Sequence, residues 1–92
     1  MNEIKCINKH PRDNAWERIT HIGWVDSNGK NRKLTQQEVI KYIKNWTYSF
    51  YVNVRGDKVS VVIAKSRFGN EYIKTENDWD EPNNLLSLKE CI

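Results

Sequence analysis

The chain has no long hydrophobic run. Its most continuous apolar stretch, Val59 to Ala64, is interrupted by Ser60 and is far shorter than the roughly 20 apolar residues that a transmembrane helix needs. The first residues, Met1 to Cys6, also lack the basic region and apolar segment of a secretory signal. We therefore expect a protein without a membrane span that is located in the cytoplasm.

Cysteine is equally scarce, with one residue near each end of the chain. Cys6 and Cys91 do not form a C-x-x-C pair, and two cysteines this far apart in sequence do not indicate a disulfide framework. We expect two buried, unreactive thiols. A zinc site that combines them with His10 and His21 is the alternative, but in that set only Cys6 and His10 are close in sequence. The sequence thus predicts neither a metal nor another cofactor.

The charge balance is only mildly basic. Fifteen lysines and arginines against twelve aspartates and glutamates leave a formal net charge of +3 over 92 residues. This length suits a single domain spanning residues 1–92, and a chain this small buries only about 60 to 65% of its unfolded surface. Four tryptophans, four tyrosines and two phenylalanines supply the large side chains that a small core needs.

The strongest local pattern is a β-hairpin in the segment Tyr48–Lys65. Two alternating segments of β-branched and aromatic residues meet at Gly56-Asp57, which we interpret as the two loop residues. Counting outward from that turn predicts that Val52 lies opposite Val61. One face of the hairpin is then apolar and is expected to face the core.

The best signal for a helix is at Thr35. Thr35 and Glu38 have the spacing of a capping box, in which each side chain accepts a hydrogen bond from a backbone N–H at the helix start. A helix from Gln36 to about Asn45 is therefore expected. The apolar residues of one helix face should pack on a sheet, and they are Val39, Ile43 and Trp46.

Weaker alternating patterns predict the other strands. They cover Glu3–Ile7, Trp16–Val25 and Glu71–Thr75, and neither side of the second is uniformly apolar. The leucines between Pro82 and Leu88 are expected to cover an open edge or end of the core, through a helical turn or an extended stretch. Together these patterns predict an α+β domain with the element order ββαβββ, in which one helix packs on a mostly antiparallel sheet.

Several segments of the chain resemble a known protein family. They are Glu17-Arg18-Ile19 with Ile22-Gly23, Tyr48 to Val54, Gly69 to Thr75, and Asn83 to Leu88 with Glu90-Cys91. On these residues the chain is similar, over nearly its whole length, to the small family catalogued as domain of unknown function 3892. The resemblance implies a bacterial or phage origin and a compact stand-alone domain, and it assigns no functional residues.

Residues that commonly carry catalysis are poorly placed for it. Nucleophilic catalysis needs a base beside a cysteine or serine, but His10 is next to a proline turn and His21 alternates within a predicted strand. Asp78 and Asp80 are close in sequence, yet a metal-dependent nuclease would also need a lysine on a neighbouring strand, for which Lys74 is the candidate. We expect a protein that is not an enzyme.

Two binding functions are compatible with the pattern. The outer hairpin face and the turn and strand after it combine an aromatic ring with basic side chains, which suits single-stranded nucleic acid. These residues are Tyr51, Arg55, Lys58, Lys65, Arg67 and Lys74.

The other function is the binding of a protein partner. Tryptophan and tyrosine are enriched among the residues that dominate interface energetics, and Trp24, Trp79 and Tyr51 are the candidate anchors. Trp79 lies among acidic residues and is expected to be exposed, whereas Trp16, Trp24 and Trp46 are expected in the core. Because a net charge of +3 is a weak electrostatic signal for nucleic acid, we favour an adaptor or inhibitor that binds a protein.

Overall fold

The computed structural model describes residues 2–10, 18–77 and 83–91. These residues form seven strands and two helices. The strands are β1 (Asn2–Glu3), β2 (Cys6–Lys9), β3 (Ile19–Val25), β4 (Asn31–Thr35), β5 (Phe50–Val54), β6 (Asp57–Lys65) and β7 (Glu71–Thr75), and the helices are α1 (Gln36–Lys44) and α2 (Asn83–Leu86). The predicted α+β class with one main helix is confirmed. No helix in these ranges is long and apolar enough to cross a membrane.

The strands divide between two sheets. The larger has the order β1-β5-β6-β7 and the smaller the order β2-β3-β4, and every neighbouring pair is antiparallel except β1 and β5. The predicted order ββαβββ is broadly matched, but the predicted strand Glu3–Ile7 is divided. The reason is that the Ile4 N–H donates to Tyr51 in the larger sheet while the Lys5 N–H donates to Gly23 in the smaller one, so the chain passes between the sheets here.

The smaller sheet contains a strand that the sequence does not predict. β4 is an edge strand, and three of its five residues are exposed, so it lacks the apolar alternation that identifies half-buried strands. The structure also identifies the buried side of β3, which the sequence leaves open: Ile22 and Trp24 are both buried. Trp24 packs against Phe50 with ring centroids 5.3 Å apart and against Tyr48 at 5.7 Å.

The β5–β6 hairpin is present with a different turn. Arg55 and Gly56 occupy the loop with φ angles of 54° and 91°, so the predicted turn lay one residue too late. A two-residue turn of this kind needs positive φ at both positions and favours glycine at the second. Val52 consequently lies opposite Val59 instead of Val61. Because the partner changes by two residues, the same side chains still face the core.

Helix α1 begins as predicted. The Glu38 N–H donates to Thr35 Oγ1 at 3.2 Å and the Thr35 N–H donates to Glu38 Oε1 at 3.0 Å. These hydrogen bonds, chiefly the one from the backbone N–H of Thr35, lower the pKa of the Glu38 carboxyl because they favour its charged form. Val39 is fully buried and Ile43 packs against the core.

The helix ends before Trp46. Asn45 is the C-cap residue, and Trp46 adopts a left-handed backbone with a φ of 62°. The Trp46 side chain is 92% exposed, so the prediction that it packs in the core was wrong. A left-handed residue leaves the helical spacing, and Trp46 therefore does not continue the stripe that Val39 and Ile43 begin.

One buried polar side chain joins the two sheets. Gln36, the first residue of α1, is 2% exposed. Its Nε2 donates to the carbonyl oxygen of Ile19 in β3 at 2.9 Å, and its Oε1 accepts from the N–H of Ile73 in β7 at 2.9 Å. Gln36 thus supplies hydrogen-bond partners to a buried backbone group in each sheet, as buried polar groups require.

The C-terminal segment lies along the free edge of the smaller sheet, beside β2. Leu85 is fully buried, as predicted for these leucines. The Ile7 N–H donates to Lys89 at 3.0 Å and the Cys91 N–H donates to Ile7 at 2.9 Å, so residues 89–91 run along β2. Cys6 and Cys91 form a disulfide, and the expectation of two free thiols was wrong. Their separation of 85 residues is bridged because α2 returns the chain to β2.

Candidate binding surfaces

The outer face of the β5–β6 hairpin holds part of the predicted nucleic-acid site. Tyr51 is half-buried, and its hydroxyl donates to Glu3 Oε1 at 3.4 Å. Lys58 Nζ lies 5.1 Å from the centre of the Tyr51 ring, a cation–π arrangement. The protein's own cation thus covers one face of the ring, and a base stacking there would have to displace Lys58.

The other predicted basic residues are spread along the larger sheet. Arg55 is in the β5–β6 turn and Arg67 is in the β6–β7 turn, at opposite ends of the nine-residue strand β6, roughly 25 to 30 Å apart at the usual rise per residue. Lys74 on β7 is half-buried and has interactions of its own. The structure brings Tyr51 and Lys58 together and separates Arg55 from Arg67.

Two of the predicted protein anchors are not available as free aromatic side chains. Trp24 is 3% exposed and belongs to the core, and Tyr51 is half-buried under Lys58. Trp79, with its neighbours Asp78 and Asp80, lies outside the described residues.

Two exposed aromatic side chains lie where α1 meets β7. Trp46 follows α1 and is 92% exposed, and Phe68 in the β6–β7 turn is 74% exposed. Lys44 Nζ and Glu71 Oε1 join these segments through an ion pair of 2.6 Å, two residues before Trp46 and three after Phe68. We call Trp46, Phe68 and this ion pair the aromatic end.

Both aromatic residues sit on backbone that is fixed by hydrogen bonds. The Trp46 N–H donates to the carbonyl of Ile43 at 3.3 Å. In the β6–β7 turn, Ser66 Oγ accepts from the N–H groups of Phe68 at 3.3 Å and Asn70 at 3.2 Å. An ordered backbone lowers the entropy that is lost when these side chains bind a partner.

An open groove of about 580 Å³ lies beside the aromatic end, between α1 and the start of β7. It is lined by Gln37, Ile40, Lys41, Lys44, Asn45 and Glu71. Trp46 directly follows Asn45, and Phe68 precedes Glu71 by three residues. The groove therefore combines the apolar side chain of Ile40 with two lysines, and two exposed aromatic residues lie within three residues of its lining in sequence.

A second groove of about 490 Å³ lies over the disulfide on the smaller sheet; we call it the disulfide groove. Its charged lining residues are Lys5, Arg32, Lys33, Lys89 and Glu90. A Cβ atom on Gly23 would lie 2.5 Å from Cys6 Sγ and 2.9 Å from Cys91 Sγ. Because real Cβ atoms do not approach sulfur this closely, only glycine fits beside the disulfide.

The residues of the alternative zinc site have other contacts. The disulfide joins Cys6 and Cys91, so their sulfurs are not thiolate ligands. His21 Nδ1 is 3.0 Å from Thr20 Oγ1, and His10 is exposed. Within residues 2–10, 18–77 and 83–91, no three His, Cys, Asp or Glu side chains form a group that could hold a metal ion.

Sequence reasoning missed both the aromatic end and the disulfide groove. A local signal existed for Phe68, because the segment from Ser66 to Asn70 is rich in turn-forming residues and Gly69 has a φ of 85°. The sequence was misleading at Trp46, because Trp46 has the helical spacing that continues the apolar stripe of Val39 and Ile43. No local pattern could have paired Cys6 with Cys91.

Comparison with known proteins identifies a family and nothing more specific. A model of the family described as "Protein of unknown function (DUF3892)" matches residues 3–89, which is nearly the whole chain and includes the aromatic end. No curated protein and no solved structure matches the chain.

Proposed function

This chain belongs to the DUF3892 family, described as proteins of unknown function, and from its own surface we propose that it is a non-enzymatic domain that binds another protein. The observation that carries the proposal is the 92% exposure of Trp46 on an ordered backbone. Tryptophan is among the residue types most enriched at the energetic centres of protein interfaces. Trp46 is not part of the core cluster, so binding gives this side chain a role that folding does not.

The charges around the aromatic end indicate the chemistry of the partner. Lys41 and Lys44 occupy the last turn of α1, and Arg67 is adjacent to Phe68 in the β6–β7 turn. Ile40 adds an apolar contact to the groove. We propose that the partner presents an apolar side chain flanked by carboxylates, which would meet Trp46 and these cations together.

The adaptor or inhibitor role and the cytoplasmic location are part of this proposal. Binding of single-stranded nucleic acid by Tyr51, Arg55 and Lys58 stays a prediction. Its supporting feature is the contact between Lys58 and the Tyr51 ring, which places a cation and an aromatic surface side by side. Partner binding and oligonucleotide binding, each measured with its own set of variants, distinguish the two functions.

The test compares Trp46→Ala and Phe68→Ala with the control Val25→Ala. Val25 is 48% exposed but lies on β3 in the smaller sheet. We expect the tagged wild-type protein to retain a partner from a cell lysate, and titration calorimetry with that purified partner should show an affinity loss of at least roughly 30-fold for Trp46→Ala. Val25→Ala should bind normally. Trp46→Ala and Val25→Ala should keep the urea midpoint of the wild type within a small margin, because the replaced side chains are exposed.

Two results would contradict the proposal. One is an unchanged affinity of Trp46→Ala and Phe68→Ala for the partner. The other is oligonucleotide binding that weakens steeply with salt and is lost when Arg55 and Lys58 are replaced, together with a loss of about 1 to 3 kcal/mol in Tyr51→Ala. That pattern would place the function on the hairpin face.

A further inference from the structure

The disulfide lies where a small molecule can reach it. Cys6 and Cys91 are both half-buried, and both line the disulfide groove. We propose that this disulfide is a redox-sensitive clip that small anionic thiols open by thiol–disulfide exchange, releasing residues 89–91 from β2. The inference rests on the disulfide groove and not on the aromatic end.

The charge of the groove favours an anionic thiol. Lys5 pairs with Glu3 at 3.3 Å and Arg32 pairs with Asp26 at 3.6 Å, so their charges are partly offset. Two further lining residues, Lys33 and Lys89, form no ion pair with the described residues. Against these four cations, the described part of the lining has a single carboxylate side chain, that of Glu90. Cations around a sulfur attract an incoming anion and stabilise the thiolate that leaves.

The exchange needs two equivalents of thiol. A thiolate attacks one sulfur of the disulfide, a new S–S bond forms, and the other cysteine leaves as a thiolate that takes up a proton. A second thiolate then attacks the mixed disulfide and releases the remaining cysteine. Two external thiols are oxidised to one external disulfide, and the Cys6–Cys91 pair is reduced to two thiols.

The contacts of the C-terminal segment indicate how far the opening extends. Besides the disulfide, hydrogen bonds hold residues 89–91 against β2. The Ile7 N–H donates to the Lys89 carbonyl, and the Cys91 N–H donates to the Ile7 carbonyl. Asn8 Nδ2 donates to the Cys91 carbonyl at 3.1 Å. Lys89 is exposed, whereas Leu85 is fully buried. Reduction should therefore loosen residues 89–91 and leave α2 in place, a local opening of the kind that hydrogen exchange detects.

The first experiment measures reduction rates of the oxidised protein with three small thiols. The probes are 3-mercaptopropionate, 2-mercaptoethanol and cysteamine, whose groups beside the thiol are anionic, neutral and cationic, and rates are expressed per thiolate concentration. At low salt we expect 3-mercaptopropionate to react about tenfold faster than cysteamine. In 1 M NaCl the ratio should approach one, because the Debye length falls to about 3 Å.

Matched lysine variants locate this preference. Lys33→Gln and Lys89→Gln should each lower the ratio by about threefold. Lys65→Gln removes an exposed lysine on β6 that does not line the disulfide groove and should leave the ratio unchanged. Equal reactivity of the three thiols, or an equal effect of all three variants, would overturn the selection of anionic thiols by this groove.

The second experiment measures backbone amide exchange in the oxidised and reduced wild-type protein. We expect the amides of Ile7 and Cys91 to exchange at least about tenfold faster after reduction, while those of Ile22 and Ile73 in the core keep their protection. Unchanged exchange at Ile7 and Cys91 would show that the disulfide does not hold the segment. Loss of protection at Ile22 and Ile73 would show that it staples the whole fold, which also overturns a local clip.

Discussion

Replacement of Gln36 should be unusually costly for an amide side chain. In Gln36→Met the side chain keeps nearly its length, but the Ile19 carbonyl and the Ile73 N–H both lose the partner that Gln36 supplies at 2.9 Å. A buried backbone group without a partner costs about 1 to 3 kcal/mol. Two such groups predict a loss of about 2 to 6 kcal/mol, a large part of the roughly 5 to 15 kcal/mol that stabilises a typical domain.

Urea unfolding of the wild type, Gln36→Met and Gln37→Met measures this loss. Gln37 is the next residue of α1 and is exposed, so Gln37→Met should stay within about 0.5 kcal/mol of the wild type. The neighbouring substitution controls for the change in helix propensity and for the added thioether. The difference between the two variants then isolates the hydrogen bonds between the sheets.

Gln36→Glu adds a pH dependence that a packing defect would not produce. An ionised carboxylate can accept from the Ile73 N–H but cannot donate to the Ile19 carbonyl, and its charge is buried. Burial raises the pKa of a carboxyl at this position above its value in the unfolded chain, so the folded state is favoured when the group is protonated. Relative to the wild type, the variant should lose more stability at pH 8 than at pH 5.

Two outcomes would refute this reasoning. Surface substitutions usually change the free energy of unfolding by no more than about 0.5 kcal/mol. If Gln36→Met stays within that margin of the wild type, the Ile19 carbonyl and the Ile73 N–H do not depend on Gln36. If the deficit of Gln36→Glu is the same at both pH values, a lost donor and a buried charge are not what destabilises it.

Four further predictions concern the hairpin, the helix start and the disulfide. Val61→Ala should cost about 1 to 3 kcal/mol because Val61 is buried, whereas Ser60→Ala should be nearly neutral; equal urea midpoint shifts would contradict the assigned core face. Thr35→Ala should cost about 1 kcal/mol in the same assay. The pKa of the Glu38 carboxyl is lower in the folded state than its ordinary value of 4.5. Its charge therefore stabilises the fold at pH values above 4.5, and this stabilisation is lost as the pH falls through the folded-state pKa. The free energies of unfolding of the wild type and Glu38→Gln should converge over that fall in pH. Gly23→Ala should leave free thiols after air oxidation in a thiol titration, and complete disulfide formation with unchanged stability would contradict the clash at this site.

The features that the sequence predicts well are those that depend on neighbouring residues. The capping box at Thr35 requires only that Glu38 follow at the correct spacing, and both hydrogen bonds are present. The hairpin depends on alternation over a few residues on each side of a glycine. Such local patterns were sufficient for the α+β class, the main helix and the strands β5, β6 and β7 of the larger sheet.

Errors arose where backbone conformation overrides a side-chain pattern. The two loop residues of the hairpin are Arg55 and Gly56, and both have the positive φ that this type of turn needs. The sequence does not reveal that an arginine adopts a positive φ. Trp46 has the right spacing for the helical stripe, yet its left-handed φ of 62° removes it from the helix. The exposed side chain that supports the proposed function was therefore assigned to the core.

Contacts between distant parts of the chain could not be predicted at all. Gln36 reads as an ordinary polar residue at a helix start, and its two partners lie 17 and 37 residues away. Cys6 and Cys91 are 85 residues apart. Both contacts depend on how the two sheets and the C-terminal segment come together, and no sequence period encodes that arrangement.

The two proposed surfaces are structurally independent. Gln36, which joins the sheets, lies at the start of α1, while Trp46 lies beyond its end, about 13 to 15 Å along the helix at 1.5 Å per residue. The disulfide groove is built from the smaller sheet and residues 89–91, and the aromatic end from α1 and the β6–β7 turn. Opening the clip should change the hydrogen bonds to Ile7 and leave the Lys44–Glu71 ion pair intact. A reduced protein should therefore bind the partner as well as the oxidised one, and a loss of binding on reduction would require that the core transmits the opening from one sheet to the other.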